Sequence, residues 1–481
     1  MDTKEQELKF IRENKIEPYP EKANRDISIS EFLNQFSKFQ KNKNFFWLVG
    51  RIMGIRTHGG VLFIDLIDEK GKIQLVFNEK KTKDYELIEK ILGLGDFISV
   101  KGIAFLPKTE QKSLLIKEWI LISKSLKNFP KEYYKVKDEE LLSRAPYLKT
   151  IFYKENREVF EKRFKILENL RKILWREGFL EVETPILQTH YGGALAQPFT
   201  TKLKSLNQNL FLRIAPEIDL KKMIIGGFEK IFEIGKNFRN EGIDREHNPE
   251  FTMMELYWAY QNREGLMDFT QKIIQELVKE INHSEVLEFQ EHKINFGDKN
   301  KKWKRVVYAD LIKEKTGLDY FKNSLEDFVS LAKKLEIETN PKIITKGKIV
   351  DEIFKKTIRP KMIEPVFLID HPKEISPLAK INPEDDRITL RFQPYIGGLE
   401  VGNGFAELND PIDQKERFLA NSELFEKGDV EAHPFDETFI EALEYGMPPT
   451  AGLGLGLERL IMLLTNQSNM RDIIYFPFIK S

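Results

Sequence analysis

The run Phe238-Arg-Asn-Glu-Gly-Ile-Asp-Arg-Glu-His-Asn-Pro-Glu-Phe-Thr-Met-Met-Glu-Leu-Tyr257 gathers side chains that can do chemistry. Its flanks read as two strands joined by a charged loop of about seven residues. On the outgoing strand a period of two puts Phe251, Met253, Glu255 and Tyr257 on one face. A carboxylate and a phenol among apolar neighbours are costly to bury unless a polar ligand meets them. On the incoming strand Arg239 and Glu241 share a parity. A guanidinium there suits a clamp on carboxylate and phosphate oxygens together. The alternative is an exposed hairpin with surface ion pairs; Met253, Met254, Leu256 and Trp258 argue for burial.

Three other stretches carry possible ligands. After His371-Pro-Lys-Glu-Ile-Ser-Pro-Leu-Ala comes a run from Arg391 to Glu407, in which Asn403, Phe405 and Glu407 share a strand face between glycines. Glycines permit close approach, and a carboxylate held in such a pocket suits a cationic group. Strict alternation puts Glu400 on the opposite face. Either a bulge intervenes, or Glu400 approaches a ligand from the sheet's other side or edge. Between Met447 and Leu464, Gly452, Gly454 and Gly456 alternate and leave one strand face bare, ahead of a helix carrying Arg459. A flat ligand fits such a face, with Arg459 reaching phosphates. The spacing is not the dinucleotide fingerprint, and tight packing alone explains it equally well. Finally, Phe160, Phe164, Leu167 and Leu174 recur at helical spacing up to Gly178, and a strand follows to Pro185. Taken alone, that pair could be core.

These groups need a scaffold, and its outline is readable. Residues 1–45 are polar and form an N-terminal helical arm. Strand-like segments at 46–53, 61–67, 73–78, 97–106 and 114–122, with a helix at 84–92 after the third, follow the order of an OB-fold barrel. Another small β-barrel is the alternative. The barrel domain is set at 46–127, a proline-bearing linker at 128–150, and one large α+β domain at 151–481, with a helical insertion over about 262–360. The 481 residues include no cysteine, which excludes disulfides and thiolate zinc sites and fits a reducing, cytoplasmic setting. Residues 1–14 do not read as a signal peptide, and no apolar run approaches the ~20 residues that span a bilayer. Formal net charge is zero, yet 99–137 is lysine-rich, either as a face for a phosphate backbone or as a compositional bias.

Together the four stretches resemble the signature motifs of class II aminoacyl-tRNA synthetases, over about 46–478. An OB domain before the catalytic domain resembles the subgroup for lysine, aspartate and asparagine. Gly192-Gly-Ala, Arg213-Ile-Ala-Pro-Glu217 and Met253-Met-Glu-Leu-Tyr257 look like its lysine member. The resemblance implies an α+β fold: an OB barrel plus a catalytic domain whose mainly antiparallel sheet is flanked by helices. It implies lysine, ATP and tRNA(Lys) as substrates, Mg2+ as cofactor and a homodimer built on 155–185. Glu217, Tyr257 and Glu407 would bind the lysine ε-ammonium, and Glu255 the α-amino group. Gly193, Asn403, Phe405 and Gly456 would line that pocket. Arg239 would bridge the lysine carboxylate and the ATP α-phosphate. Glu241, His247, Asn248 and Phe251 would hold ATP, with adenine between Phe251 and Arg459. Glu400 would bind magnesium. Arg239, Glu400 and Arg459 are thus the expected catalytic residues. In the barrel, Phe63 would stack on an anticodon base, with Gln74 and Glu118 reading base edges.

Three departures stand out. Gln393 occupies a position where the family has a second metal-binding glutamate, so it is a doubtful ligand. Gln197 replaces a usual arginine, and Leu142-Ser-Arg-Ala-Pro-Tyr-Leu lacks the family's richer arginine pattern. Rival readings are an asparagine or aspartate enzyme, a catalytically degenerate RNA-binding paralogue, and an enzyme that lysylates a protein. The paired Glu217 and Glu407, the intact Arg239, Glu400 and Arg459, and the barrel oppose them in turn.

Overall fold

The computed structural model describes residues 3–478 except 108, 128, 130–141, 143, 298–300, 338–344 and 427–434. The chain divides into two compact units, 1–139 and 140–481. Most of the expected linker at 128–150 lies outside the described residues; its end is a short helix, Pro146–Phe152.

In the first unit, five strands close into a barrel in the order β1-β2-β3-β5-β4: β1 (Phe45–His58), β2 (Val61–Ile67), β3 (Lys72–Asn78), β4 (Phe97–Phe105) and β5 (Ser113–Ser123). Alternation builds it. Leu62, Ile64 and Leu66 point inward and are at most 2% exposed, while Phe63 between them stays half-open. Helices α1 (Thr3–Glu13), α2 (Ile29–Asn34) and α3 (Phe36–Asn42) bury Ile11, Ile29, Phe32, Phe36 and Phe39 in the same core as the barrel strands. The expected arm is therefore built into the barrel's core. Ser28 starts α2 with a full capping box to Glu31. The helix expected at 84–92 is α4 (Tyr85–Ile91).

The second unit is built on a nine-stranded sheet. Its main path runs β9 (Lys304–Val307), β10 (Val366–Ile369), β11 (Arg391–Ile396), β12 (Gly402–Ala406), β13 (Thr450–Gly456), β8 (Glu250–Ala259), β7 (Lys230–Phe238) and β6 (Leu180–Glu181). A two-residue strand, Leu399–Glu400, pairs with β11 off that path. Only the two outermost pairings are parallel. Helices α5 (Lys154–Arg176), α7 (Arg263–Asn282) and α8 (Leu457–Thr465) cover one side, burying Leu170, Ile274 and Leu460 among the apolar side chains of the sheet. Between β6 and β7 in sequence lies α6 (Glu217–Ile225). Residues 262–360, expected as an insertion, begin instead with α7, part of the main core, and include the edge strand β9. The helices at 308–358 pack in a second apolar cluster, around Tyr308, Phe328 and Phe354, together with Val366 and Leu368 of β10 and Tyr395 of β11. Among the described residues, no helix is long and apolar enough to cross a membrane.

Candidate active site

The open face of β12, β13 and β8 forms the floor of one cavity. Registers set its rungs. Phe405, Gly452 and Tyr257 lie side by side; so do Asn403, Gly454 and Glu255; Gly456 faces Met253. The bare face of β13 is required. A Cβ at Gly452 would overlap Glu407 Oε1 and come within 2.6 Å of the Tyr257 ring. Along β8 the expected face holds, since Tyr257, Glu255, Met253 and Phe251 all line the cavity in sequence. Fourteen expected residues meet there: Gly193, Glu217, Arg239, Glu241, His247, Asn248, Phe251, Glu255, Tyr257, Glu400, Asn403, Phe405, Gly456 and Arg459. Glu407 and Gln393 are not on its wall.

The parity conflict at Glu400 resolves as a bulge. Tyr395 faces Glu400 across the strands, whereas Phe392 faces Gly404. Three steps on β11 thus match four on the other strand, and the extra residue brings Glu400 onto the face of Asn403. The loop after β7 is longer than expected. It occupies 239–249, and Asp244 holds it by accepting from the His247 backbone N–H at 2.8 Å, with the His247 ring nitrogen Nδ1 also 2.8 Å from its carboxylate.

One end of the cavity is charged and closed. Glu217, Glu255 and Glu407 are 6%, 4% and 1% exposed. The Tyr257 hydroxyl donates to Glu255 Oε2 at 3.1 Å. Burial, then the charge of Glu217, pushes the Glu255 carboxyl up to about 8. Burial raises Glu217 and Glu407 as well. Glu217 opens α6, placed by Arg213, which is buried and bonded to Glu233 at 2.5 Å and to the Lys236 carbonyl at 2.9 Å. Glu407 stands behind the wall. The Lys221 ammonium is 2.5 Å from its Oε2, an ion pair by distance but off hydrogen-bond geometry, and its Oε1 is buried without a partner.

The other end is more open. Arg459, in the first turn of α8, donates to the Glu400 carbonyl at 3.1 Å, and its second amino nitrogen lies 3.1 Å from His247 Nε2. Arg239 stacks 5.0 Å from the Phe251 ring centroid, and its Nε is buried without a partner. Behind the helix start, Glu458 accepts from Arg163 at 2.9 Å and from the Thr252 N–H at 2.8 Å, which ties α8 to α5 and β8.

Gln393 shares a strand face with Arg391 and Tyr395, but His371 Nε2 lies 2.8 Å from its Oε1, and the Tyr395 hydroxyl donates to that same atom at 3.3 Å. Burial holds His371 well below the usual histidine range, hence neutral. Among the described residues no cluster of three or more metal-ligating side chains occurs. The backbone carbonyl of Gln197 accepts from Asn240 N–H at 2.8 Å while its side chain is exposed. On the barrel, register puts Phe63, Gln74 and Glu118 on the outer face; Gln74 is 8% exposed and accepts from Ser113, and Glu118 pairs with Lys101 at 3.7 Å.

Two charged residues, one on the cavity wall and one behind it, escaped the sequence reading. Arg391 lines the wall and donates to Asn403 at 2.8 Å; its parity with Gln393 was the available signal. Lys221 bonds Glu217 at 2.6 Å; the signal was a lysine one helical turn after a pocket carboxylate.

Known proteins match this architecture. Residues 138–480 match the family model described as tRNA synthetases class II (D, K and N), and 46–122 match an OB-fold nucleic acid binding domain. Lysine--tRNA ligase 2 of Methanosarcina mazei is 41% identical over 482 residues, covering 100% of this chain and 94% of that protein. Lysine--tRNA ligase of Thermotoga maritima is 42% identical, covering 99% and 96%. Lysine--tRNA ligase of Staphylococcus epidermidis is 40% identical, covering 100% and 98%. With a nine-stranded, mainly antiparallel sheet, three bare glycines flanked by Arg239 and Arg459, and an OB barrel ahead of them, the chain belongs to the class II tRNA synthetases of the D, K and N family.

Proposed function

We propose that the chain activates L-lysine with ATP to lysyl-adenylate and transfers it to the 3′ end of tRNA(Lys), in the cytoplasm. The spacing of the rungs carries this reading. Tyr257 and Glu255 sit two residues apart on β8, roughly 7 Å along a strand. Four methylene groups hold the two ammonium groups of lysine a comparable distance apart. The ε-ammonium lies by Glu217 and Tyr257, with Glu407 behind, and the α-ammonium meets Glu255. The pocket's carboxylates oppose aspartate, whose side chain would bring a like charge, and leave neutral isosteres with unpaired buried charge.

From there the chemistry follows the strand. The lysine carboxylate reaches Arg239, which aligns it with the α-phosphate while Phe251 and Arg459 hold adenine between them. A carboxylate oxygen attacks phosphorus in line, the bond to the β-phosphate bridging oxygen breaks, and pyrophosphate leaves. Arg239 and Arg459 offset charge on the phosphorus centre. Magnesium fits this end in one way. Such an ion needs only one or two protein carboxylates beside the substrate phosphates, and Glu400, which lines the cavity, would supply one. When bound it supplies charge to the phosphates. Gln393, engaged with His371 and Tyr395, is set back from that position. In the second step the terminal ribose hydroxyl of the tRNA attacks the lysyl carbonyl and AMP leaves. Phe63, Gln74 and Glu118 on the barrel read the anticodon by stacking and hydrogen bonds.

ATP–pyrophosphate exchange without tRNA, run with each standard amino acid, tests the function. Exchange with lysine alone is expected. Exchange with aspartate or asparagine would reassign the pocket. No exchange with any amino acid at high magnesium would favour a degenerate RNA-binding paralogue. A C2 homodimer is also proposed, because Phe164, Trp175 and Leu180 are 61%, 51% and 52% exposed on the 155–185 helix and strand. A monomer by light scattering at micromolar concentration would refute it.

A further inference from the structure

Lys221 is a charged side chain for which the two reaction steps have no use. It is 0% exposed, one turn after Glu217 on α6, with its ammonium 2.6 Å from Glu217 Oε1 and 2.5 Å from Glu407 Oε2. The rings of Phe405 and Phe439 stand 5.3 and 5.9 Å from it. The two carboxylates keep it protonated against the cost of burial. Unlike Glu217, it does not reach the cavity wall. The other groups facing this cluster are Glu255 and Tyr257 on β8 and Arg391 on β11. Arg391 directs its donors to Asn403 and to the Ile375 carbonyl rather than to a carboxylate.

With all three buried carboxylates ionised, the form that bound lysine favours, one buried ammonium leaves two negative charges for the ligand to compensate. Free lysine carries two ammonium groups, and Arg239 is there for its carboxylate. We propose that Lys221 is a specificity-determining residue: a permanent internal counter-ion for Glu217 and Glu407 that leaves the pocket short of two positive charges, the number lysine brings. It rests on the lysine pocket proposed above and adds the reason that pocket discriminates by charge.

The physical consequence is specific. Without Lys221, Glu217 and Glu407 would face each other across a gap that one ammonium can bridge. Like charges so close do not both ionise, so one takes a proton. A protonated carboxyl offers the incoming ε-ammonium a donor where it needs an acceptor. Lysine would then have to expel that proton to bind, and a neutral side chain such as that of methionine would be less strongly rejected.

The test is pyrophosphate exchange by the full-length protein, wild type, Lys221→Met, Glu407→Gln and the double variant, across pH 6.5 to 9. For Lys221→Met the KM for lysine should rise at least about tenfold near neutrality, with the KM for ATP within about twofold and the lysine defect shrinking as pH rises. Glu407→Gln alone should also weaken lysine. The double variant restores the count of two charges and should recover lysine KM to within about threefold of wild type. A Lys221→Met protein with unchanged lysine KM would overturn the proposal. So would a double variant worse than either single, or a defect independent of pH, since both mark lost packing. Should Lys221→Met fail to fold, recovery in the double variant against Glu407→Gln alone still decides. A wild-type protein that exchanges no pyrophosphate with lysine would instead overturn the pocket assignment itself.

Discussion

The two ends of the cavity floor are built in opposite ways. Around Gly452, Glu217, Tyr257, Glu407 and Lys221 are almost fully buried, with Lys221 already paired to both carboxylates and Tyr257 donating to Glu255. Around Gly456, Arg459 leans on a carbonyl and a histidine, and Arg239 Nε and Asn248 Oδ1 lack partners. A closed, pre-charged end recognises a small cation by what it excludes. An open end with an idle donor and an idle acceptor is completed by the large polar ligand that enters it. The difference teaches that amino-acid identity is set by the resting protein, whereas the geometry for phosphoryl chemistry is assembled on binding.

Substitutions can separate the ends. Arg239→Ala should cost most, lowering exchange about a hundred- to a thousandfold, because Arg239 is the guanidinium proposed to bridge the lysine carboxylate and the phosphate. A loss under tenfold would mean that Arg459 serves both groups. Glu255→Gln comes next. Lysine KM should rise about ten- to a hundredfold, with ATP KM nearly unmoved; an equal change in both would erase the distinction between the ends.

Glu255 also gives a pH signature. Its carboxyl is held at about 8 in the fold against an ordinary value of 4.5. The folded protein keeps a proton that the unfolded chain has lost, so ligand-free stability should fall as pH rises from 4.5 towards about 8. Glu217 and Glu407 act with the same sign. Bound lysine favours the ionised form, so the Tm gain on adding lysine should grow over that window. Glu255→Gln should flatten both trends in a thermal melt series, and unchanged slopes would locate the proton elsewhere.

Gly452→Ala should raise lysine KM about tenfold, since its Cβ meets Glu407 and Tyr257. Gly454→Ala should do far less, its Cβ meeting the flexible end of Met253 at 3.0 Å. The smallest effect is assigned to Gln393→Glu. If position 393 contributes to the metal, half-saturation in magnesium should fall by severalfold; an unchanged titration would remove 393 from the metal site.

Most of this floor was legible because a period of two needs no tertiary information. Phe251, Met253, Glu255 and Tyr257 could be read off one strand, and the alternating glycines off another. Parity failed at Glu400, where one extra residue against β11 depends on pairing rather than composition. Lys221 was missed because a lysine on a helix is ordinarily solvated, and only packing reveals that both of its partners are acids. The N-terminal helices were read as an arm because polar residues dominate their sequence, although five apolar positions suffice to join the barrel core. The span 262–360 looked like an insertion because α7 is charged on one side, and helical pattern does not tell a cover from a core element.

The offset between Glu400 and Gly404 makes strand length a chemical variable. Loops elsewhere in such proteins can gain or lose a residue at little cost. Here one residue inserted between Pro394 and Tyr395 would leave every cavity side chain encoded and restore a perfect ladder. It would also rotate Glu400 out of the cavity while Asn403 and Phe405 stayed in. A variant protein could therefore keep its motif letters intact and lose Glu400 from the cavity through a change in count.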